Sequence, residues 1–430
     1  MRLVEGRRAA LEWCERRREA VWTEGRRAEV AAAVADVIER VRAGGEAAVL
    51  ELTERFDGVR RGRVLVAREE LEAGAARVPR ELAAAIDTAI ARVEAYYRAQ
   101  PAGGFELVDG DSRLGALTVP LEAVGCYVPG GTAPLFSSLY MTAVPARVAG
   151  VERLVVATPP RPDGSVPDEV AYVALALGAH AVAAVGGAQA VAALAFGAGV
   201  PRVDKVVGPG NAYVTEAKRQ LFGLVGVEAL AGPTETLVLA DDSADPRHVA
   251  ADLVAQAEHA GAEPVLVTTS ERLWRLAPRL AEERAAALPT AGTALTSLRE
   301  LGVSALVEDL DAAVEVLNAF APEHACLLLD DPWPVARRVR HAGGLFLGHR
   351  SMEALGDYLA GPSHVMPTGA TARFSSFVSL RDFQKVVPYL QVGPELLARV
   401  GGPAAALARA EGLEGHARAV LSRLEEGDGG

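Results

Sequence analysis

From about residue 115 the spacing of apolar positions along the chain alternates between two periods. Short apolar runs of β type (RLVVATPP from Arg153, HAVAAVGG from His180, VDKVVGPG from Val203) alternate with Ala-rich helical patterns (DEVAYVALALGA, AQAVAALAFGAG, NAYVTEAKRQLFG). After GPTE the pattern begins again. TETLVLADD predicts a strand, PRHVAADLVAQAEHAG a helix, PVLVTT a strand, and a long helix starts at Glu271. VSALVEDL, DAAVEVLNAFA, HACLLLDD, PVARRVRHAG and GLFLG continue it. Strand and helix in strict turn require right-handed crossovers and a mostly parallel sheet covered on both faces. Two such sets of similar length predict two related α/β domains. Residues 1 to 100 carry longer amphipathic patterns, such as AEVAAAVADVIERVRAGGEAAVLELTERF, and read as mostly helical. After about residue 379 the chain reads as helical to a frayed GDGG end.

Length and composition fit this picture. A chain of 430 residues exceeds what one core serves, so two or more domains are expected. Half the residues are apolar, but they are dispersed, with no run long enough to cross a bilayer. The start, MRLVEGRRAALEWCERRRE, has neither the apolar run nor the cleavage site of a secretory signal, which points to a soluble cytoplasmic protein. A net charge of -12 argues against nucleic-acid partners, which need clustered cations. Arg16 to Arg18 and Arg26 to Arg27 are interleaved with Glu and read as a solvated helix face. Cys14, Cys126 and Cys326 are far apart, without a CxxC, and suggest neither a disulfide framework nor a thiolate zinc site.

Ligands of α/β sheets bind beyond the carboxyl ends of strands, where glycines let backbone N–H groups approach anionic groups. Three loops qualify: CYVPGGTAPLFSS after Tyr127, VGGAQAVAALAFG turning at Gly186 to Gln189, and VGPGNAYVTEAK turning at Gly208 to Asn211. None is a GxGxxG or Walker A loop, and none is followed by an acidic ribose ligand at the usual interval. Three such loops in one half favour an irregular dinucleotide crevice over three unrelated turns.

The second half holds the acid–base candidates. In APEHACLLL, Glu323 and His324 stand side by side after Pro322, where a helix must end and a strand begin. Adjacent acid and base can serve two proton transfers if the backbone there is irregular enough to aim both inward. Gln256 and His259 are one helical turn apart, which suits a shared metal ion or a merely solvated stripe. GDYLAGPSHVMPTG adds Asp357 and His364 in a Gly/Pro-punctuated loop. Asp357 with His259 would offer oxygen and nitrogen ligands suited to Zn2+ or Mn2+. Cys126 and Cys326 have no neighbouring His or Lys to activate a thiolate and read as buried small hydrophobes.

Taken together, YVPGG, GGAQAVAALAFG, VGPGNAYVTEAK, AGPTET, DLVAQAEH, APEH, GDYLAGPSH and EGLEGHA resemble the histidinol dehydrogenase family, over about residues 120 to 420. The resemblance implies an NAD-dependent, zinc-containing enzyme that oxidises L-histidinol to L-histidine through a bound aldehyde with two NAD+. It implies that Gln256, His259, Asp357 and His416 hold one Zn2+ per subunit, with His416 supplied by the partner of a homodimer. It implies His324 as the general base for the alcohol and Glu323 as the base that activates water for the aldehyde. Thr234, Gln256, His259, His324, Asp357, His364, Glu411 and His416 would contact substrate, and Tyr127, Gln189 and Asn211 would line the NAD+ site. Thr234 stands where many relatives have Ser, which keeps the hydroxyl.

The expected organisation is two incomplete Rossmann-like domains with mostly parallel sheets and helical ends. Residues 1–25 form an N-terminal helical segment, 26–120 with 235–378 a first α/β domain carrying the zinc and catalytic residues, 121–234 a second domain with the NAD site, and 379–430 a helical, dimer-forming tail. The rival readings are a dehydrogenase of the same fold acting on another primary alcohol, such as a sulfonated propanediol, a non-redox metal hydrolase using Glu323, and a non-catalytic dimeric scaffold. Retention of His364, Glu411 and His416 favours the imidazole substrate over the first of these.

Overall fold

Six parallel strands form the larger sheet, in the order Arg2–Glu5, Val303–Leu306, Glu263–Thr268, Glu235–Ala240, His324–Leu328, Gly344–Leu347. Five form a second parallel sheet, in the order Ala181–Ala184, Arg153–Thr158, Ala123–Tyr127, Lys205–Val207, Gly226–Val227. Leaving aside the edge strand Arg2–Glu5, each sheet begins at an inner strand, winds outward on one side, then returns to the other. This leaves a topological switch point, between Glu235–Ala240 and His324–Leu328 in one sheet and between Ala123–Tyr127 and Lys205–Val207 in the other. The structure, a computed structural model, describes residues 1–23, 26–101, 103–130 and 135–425.

The strands form where apolar runs are continuous because helices bury both sheet faces. Along Glu235–Ala240, Leu237 and Leu239 enter one core cluster while Val238 and Ala240 enter another. Several of the helices between strands start at side-chain caps. Asn211 caps Ala212–Leu221 through Tyr213 and Val214 N–H, Asp245 caps Pro246–Ala257 with Pro246 at its first turn, and Ser270 and Asp309 cap the next two long helices. The alternation predicted from residue 153 to 347 is therefore present element by element, and the fold is α/β with mostly parallel sheets.

Three expectations are corrected. The N-terminal segment is not wholly helical, because Arg2–Glu5 pairs with Val303–Leu306 as the edge strand of the larger sheet. Four residues are too few to show a period, and only the open sheet edge recruits them. The helices within 26–120 do not join that sheet's layers. Arg26–Asp57 packs on Gly187–Phe196 and Ala212–Leu221, Arg68–Ala75 on Asp168–Ala176, and Arg80–Arg98 on Ser137–Val148, all layers of the five-stranded sheet. An apolar stripe states that a helix is buried, not against what. Finally, the C-terminal region is not helical throughout. Gln384–Gln391 is a strand pairing antiparallel along Ser112–Pro120, whose other edge takes Phe105–Asp109.

The chain divides into two compact units, residues 1–99 with 121–383, and residues 100–120 with 384–430. Both parallel sheets lie in the first. The second consists of the three-stranded antiparallel sheet and the helices Pro394–Ala410 and Glu414–Glu425, which pack on each other. The expected frayed GDGG end lies outside the described residues.

Candidate active site

The acid–base candidates converge at the amino edge of the six-stranded sheet, beside its switch point. Helix Leu310–Phe320 ends on Ala321 in a left-handed conformation (φ 56°, ψ 62°), a residue with a Cβ in a region glycine favours. Pro322 follows, and the strand starts directly at His324. This is the irregular backbone that two adjacent inward side chains require: Glu323 is 7% and His324 3% exposed.

The neighbouring strand start holds both of them. Thr234 Oγ1 donates to Glu323 Oε2 at 2.5 Å, and Glu235 N–H reaches the same oxygen at 3.3 Å. The Glu235 carbonyl lies 3.3 Å from His324 Nδ1, and the Gln256 side-chain amide, from the last turn of Pro246–Ala257, lies 3.0 Å from that nitrogen. His324 Nε2 is buried without a hydrogen-bond partner among the described residues; Asp357 Oδ1 stands 3.7 Å away. Burial opposes charge on His324, yet Glu323, Asp357 and Glu353 outweigh it and raise its pKa to about 10. Burial pushes the Glu323 carboxyl up against the pull of His324. Asp357 feels burial too, but the cationic forms of His324, His364 and His259 hold it below the usual range. His364 bonds through Nδ1 to the Asp357 carbonyl at 2.9 Å and through Nε2 to Ser138 Oγ at 3.3 Å.

Of the proposed ligands, Gln256, His259 and Asp357 lie in this first unit, with His259 exposed just past the helix end, its N–H bonded to the Gln256 carbonyl. His416 and Glu411 belong to the second unit and are exposed. Among the described residues, no group of three or more His, Cys, Asp or Glu could hold a metal ion. Three of the four proposed ligands, an amide, an imidazole and a carboxylate, thus belong to the first unit, and the fourth, His416, to the second.

The glycine loops stand at the carboxyl edge of the five-stranded sheet. A Cβ on Gly208 (φ 116°) would lie 2.1 Å from the Tyr127 carbonyl, so the loops after Ala123–Tyr127 and Lys205–Val207 touch at the switch point only because this residue is glycine. The buried pair Lys218–Glu228 braces that turn: Lys218 donates to the Gly208 carbonyl, and Glu228 accepts from Gly208 N–H at 2.8 Å. The three sequence-derived NAD residues have structural contacts of their own. The Tyr127 hydroxyl accepts from Gly187 N–H at 3.2 Å, Gln189 is buried, and Asn211 caps its helix. Gly131 of the first loop lies outside the described residues.

All three cysteines are buried and free; burial pushes the Cys126 thiol up to about 12 and Cys326 well above its ordinary value, consistent with small hydrophobes rather than nucleophiles.

A family model described as histidinol dehydrogenase matches residues 22–424. The chain belongs to the histidinol dehydrogenase family. A relative named histidinol dehydrogenase from Deinococcus radiodurans is 54% identical over 396 residues, covering 90% of each chain. One of the same name from Thermus thermophilus is 46% identical over 394 residues, covering 90% of this chain and 93% of that one. A crystal structure of histidinol dehydrogenase from Elizabethkingia anophelis matches with a TM-score of 0.89 at 32% identity, covering 92% of each chain.

Within this family member, sequence reading missed two carboxylates near the pair, the buried Glu353 and the half-buried Asp252. Glu353 accepts from Thr236 Oγ1 at 2.8 Å and faces Cys326 Sγ at 3.7 Å, and burial raises its pKa to about 7. It precedes Asp357 by four residues on helix Glu353–Tyr358, a spacing that was legible. Asp252 lies one turn before Gln256, and burial alone raises it from 3.8 to about 6. Because the folded pKa lies above the unfolded one, Asp252 favours the folded state below its unfolded value and loses that contribution as pH rises through about 6. Asp252→Asn is expected to be the more stable protein near neutral pH by roughly 2 kcal/mol, with the gap closing towards pH 4. Urea unfolding of both proteins across that range checks it; parallel stability curves would contradict the assignment.

Proposed function

We propose that the protein oxidises L-histidinol to L-histidine, the last step of histidine biosynthesis, with two NAD+ and one Zn2+ per subunit. The observation that carries this reading is the buried Glu323–His324 pair, flanked by Thr234, Gln256 and Asp357, in a chain that belongs to this family.

Gln256, His259 and Asp357, with His416 from a second subunit, would hold the zinc. The donor set fits: amide and carboxylate oxygens with imidazole nitrogens suit a borderline cation, and the Gln256 amide nitrogen facing His324 leaves its carbonyl oxygen available. When bound, zinc would engage the imidazole and amino nitrogens of histidinol, and NAD+ would accept hydride at each step. His324 takes the alcohol proton as hydride departs, giving the aldehyde. A cation held at Asp357 would offset one of the negative charges that raise the His324 pKa, which would favour the neutral imidazole needed to accept that proton. Glu323 then removes a proton from water as it adds to the aldehyde, and loss of a second hydride from the hydrate gives the acid. Burial of both side chains keeps bulk water from the aldehyde between steps. Thr234, His364 and Glu411 orient the substrate, and Tyr127, Gln189 and Asn211 line the dinucleotide crevice.

A homodimer with shared sites fits the exposed apolar residues of the second unit, among them Phe105, Val108, Val386, Leu390 and Leu407. Among the described residues, no helix is long and apolar enough to cross a membrane, and the cytoplasm is the location we assign.

The test is NADH formed per L-histidinol consumed to completion, before and after chelation and zinc restoration. Two NADH per substrate, lost on chelation and regained with zinc, is the expected result. No NADH from histidinol, with turnover of another primary alcohol, would transfer the assignment to that substrate.

A further inference from the structure

Arg17 departs from the solvated face expected for Arg16 to Arg18. Its side chain is 8% exposed, although it belongs to helix Arg7–Thr23, in a charged run. The guanidinium lies 4.2 Å over the Phe320 ring, which also stacks on Trp13. Its Nη2 donates to Glu235 Oε1 and its Nε to Glu263 Oε2, the first residues of two adjacent strands in register. Glu235 Oε1 also accepts from Gly369 N–H at 2.8 Å.

Glu235 is the residue whose main chain touches both acid–base candidates, its N–H on Glu323 and its carbonyl beside His324 Nδ1. Glu235, Glu263 and Glu323 therefore crowd three carboxyl groups around three adjacent strand starts. A single buried guanidinium can bridge two of them in fixed geometry, which an ammonium cannot do. A buried ion pair is a poor source of net stability compared with apolar packing of the same volume, so stability alone gives little reason for this arginine.

We propose that Arg17 is a positioning residue. Acting through Glu235, it fixes the strand start that aims Glu323 and His324. For its kinetic readout this rests on the histidinol oxidation proposed above; for its spectroscopic readout it rests on the geometry alone.

The test uses the full-length, zinc-loaded protein with Arg17→Met, Arg17→Lys and Trp13→Ala. Trp13→Ala loosens the same helix against Phe320 without touching Glu235. Arg17→Met is expected to lower kcat about tenfold or more on both histidinol and its aldehyde, with KM within about threefold. Arg17→Lys should fall between, and Trp13→Ala should lower Tm while keeping kcat within about twofold. The imidazole 15N resonances of His324, assigned with His324→Gln, should shift in Arg17→Met and not in Trp13→Ala. Wild-type kcat and unshifted resonances in Arg17→Met would overturn the proposal, as would equal kcat losses in Arg17→Met and Trp13→Ala. If Arg17→Met does not fold, Arg17→Lys carries the same test, with a lowered kcat and a shifted resonance expected and wild-type values overturning it. A wild type that makes no NADH from histidinol would sink the functional reading instead, and the His324 resonance would still decide the role of Arg17.

Discussion

His324→Ala loses oxidation of histidinol by roughly 10²–10⁴-fold, the range for a positioned general base, whereas Glu323→Gln chiefly loses oxidation of the aldehyde. The two side chains have different partners. With Nδ1–H directed at the Glu235 carbonyl, Nε2, buried and without a hydrogen-bond partner among the described residues, is the nitrogen left to meet a substrate proton. Glu323 Oε2 is committed to Thr234 and Glu235 N–H, while burial raises its carboxyl towards the range where it can exchange a proton. Rates measured separately on histidinol and on the aldehyde test the division. A Glu323→Gln variant equally slow on both would contradict it.

Mixing two inactive variants gives the second large effect. Asp357→Asn and His416→Ala are each expected to abolish stoichiometric zinc and turnover, because one subunit's first unit offers only part of the donor set. If His416 reaches the partner's site, every mixed dimer has one doubly damaged site and one intact site. Random mixing makes half the dimers mixed, so about a quarter of wild-type activity should return. If His416 served its own subunit, no site would be restored and activity would stay at zero. Removing everything after residue 378 would be a poorer test, since it would also strip Gln384–Gln391 from its pairing with Ser112–Pro120.

The Arg17 and Asp252 experiments are smaller in effect but probe what sequence patterns do not reveal. Arg17 lies in a charged run and looks solvent-facing, yet it is buried; Asp252 interrupts an apolar helical stretch and is half-buried. Arg17 is buried because two glutamates at strand starts, more than 200 residues away, need a shared counter-charge.

The sequence by itself determined the local elements from residue 153 to 347, because strand and helix periods, Asn, Asp and Ser caps and glycine turns are properties of a few neighbouring residues. It also determined the family and the residue types available for chemistry, through motifs whose spacing is short. Tertiary structure alone decided which sheet buries each N-terminal helix, that Arg2–Glu5 and Gln384–Gln391 become strands, and that Glu235 supplies the main-chain hold on Glu323 and His324. Those outcomes depend on open sheet edges and on charges brought together from distant segments. No window of sequence contains both partners of such a contact, so no local pattern can encode it.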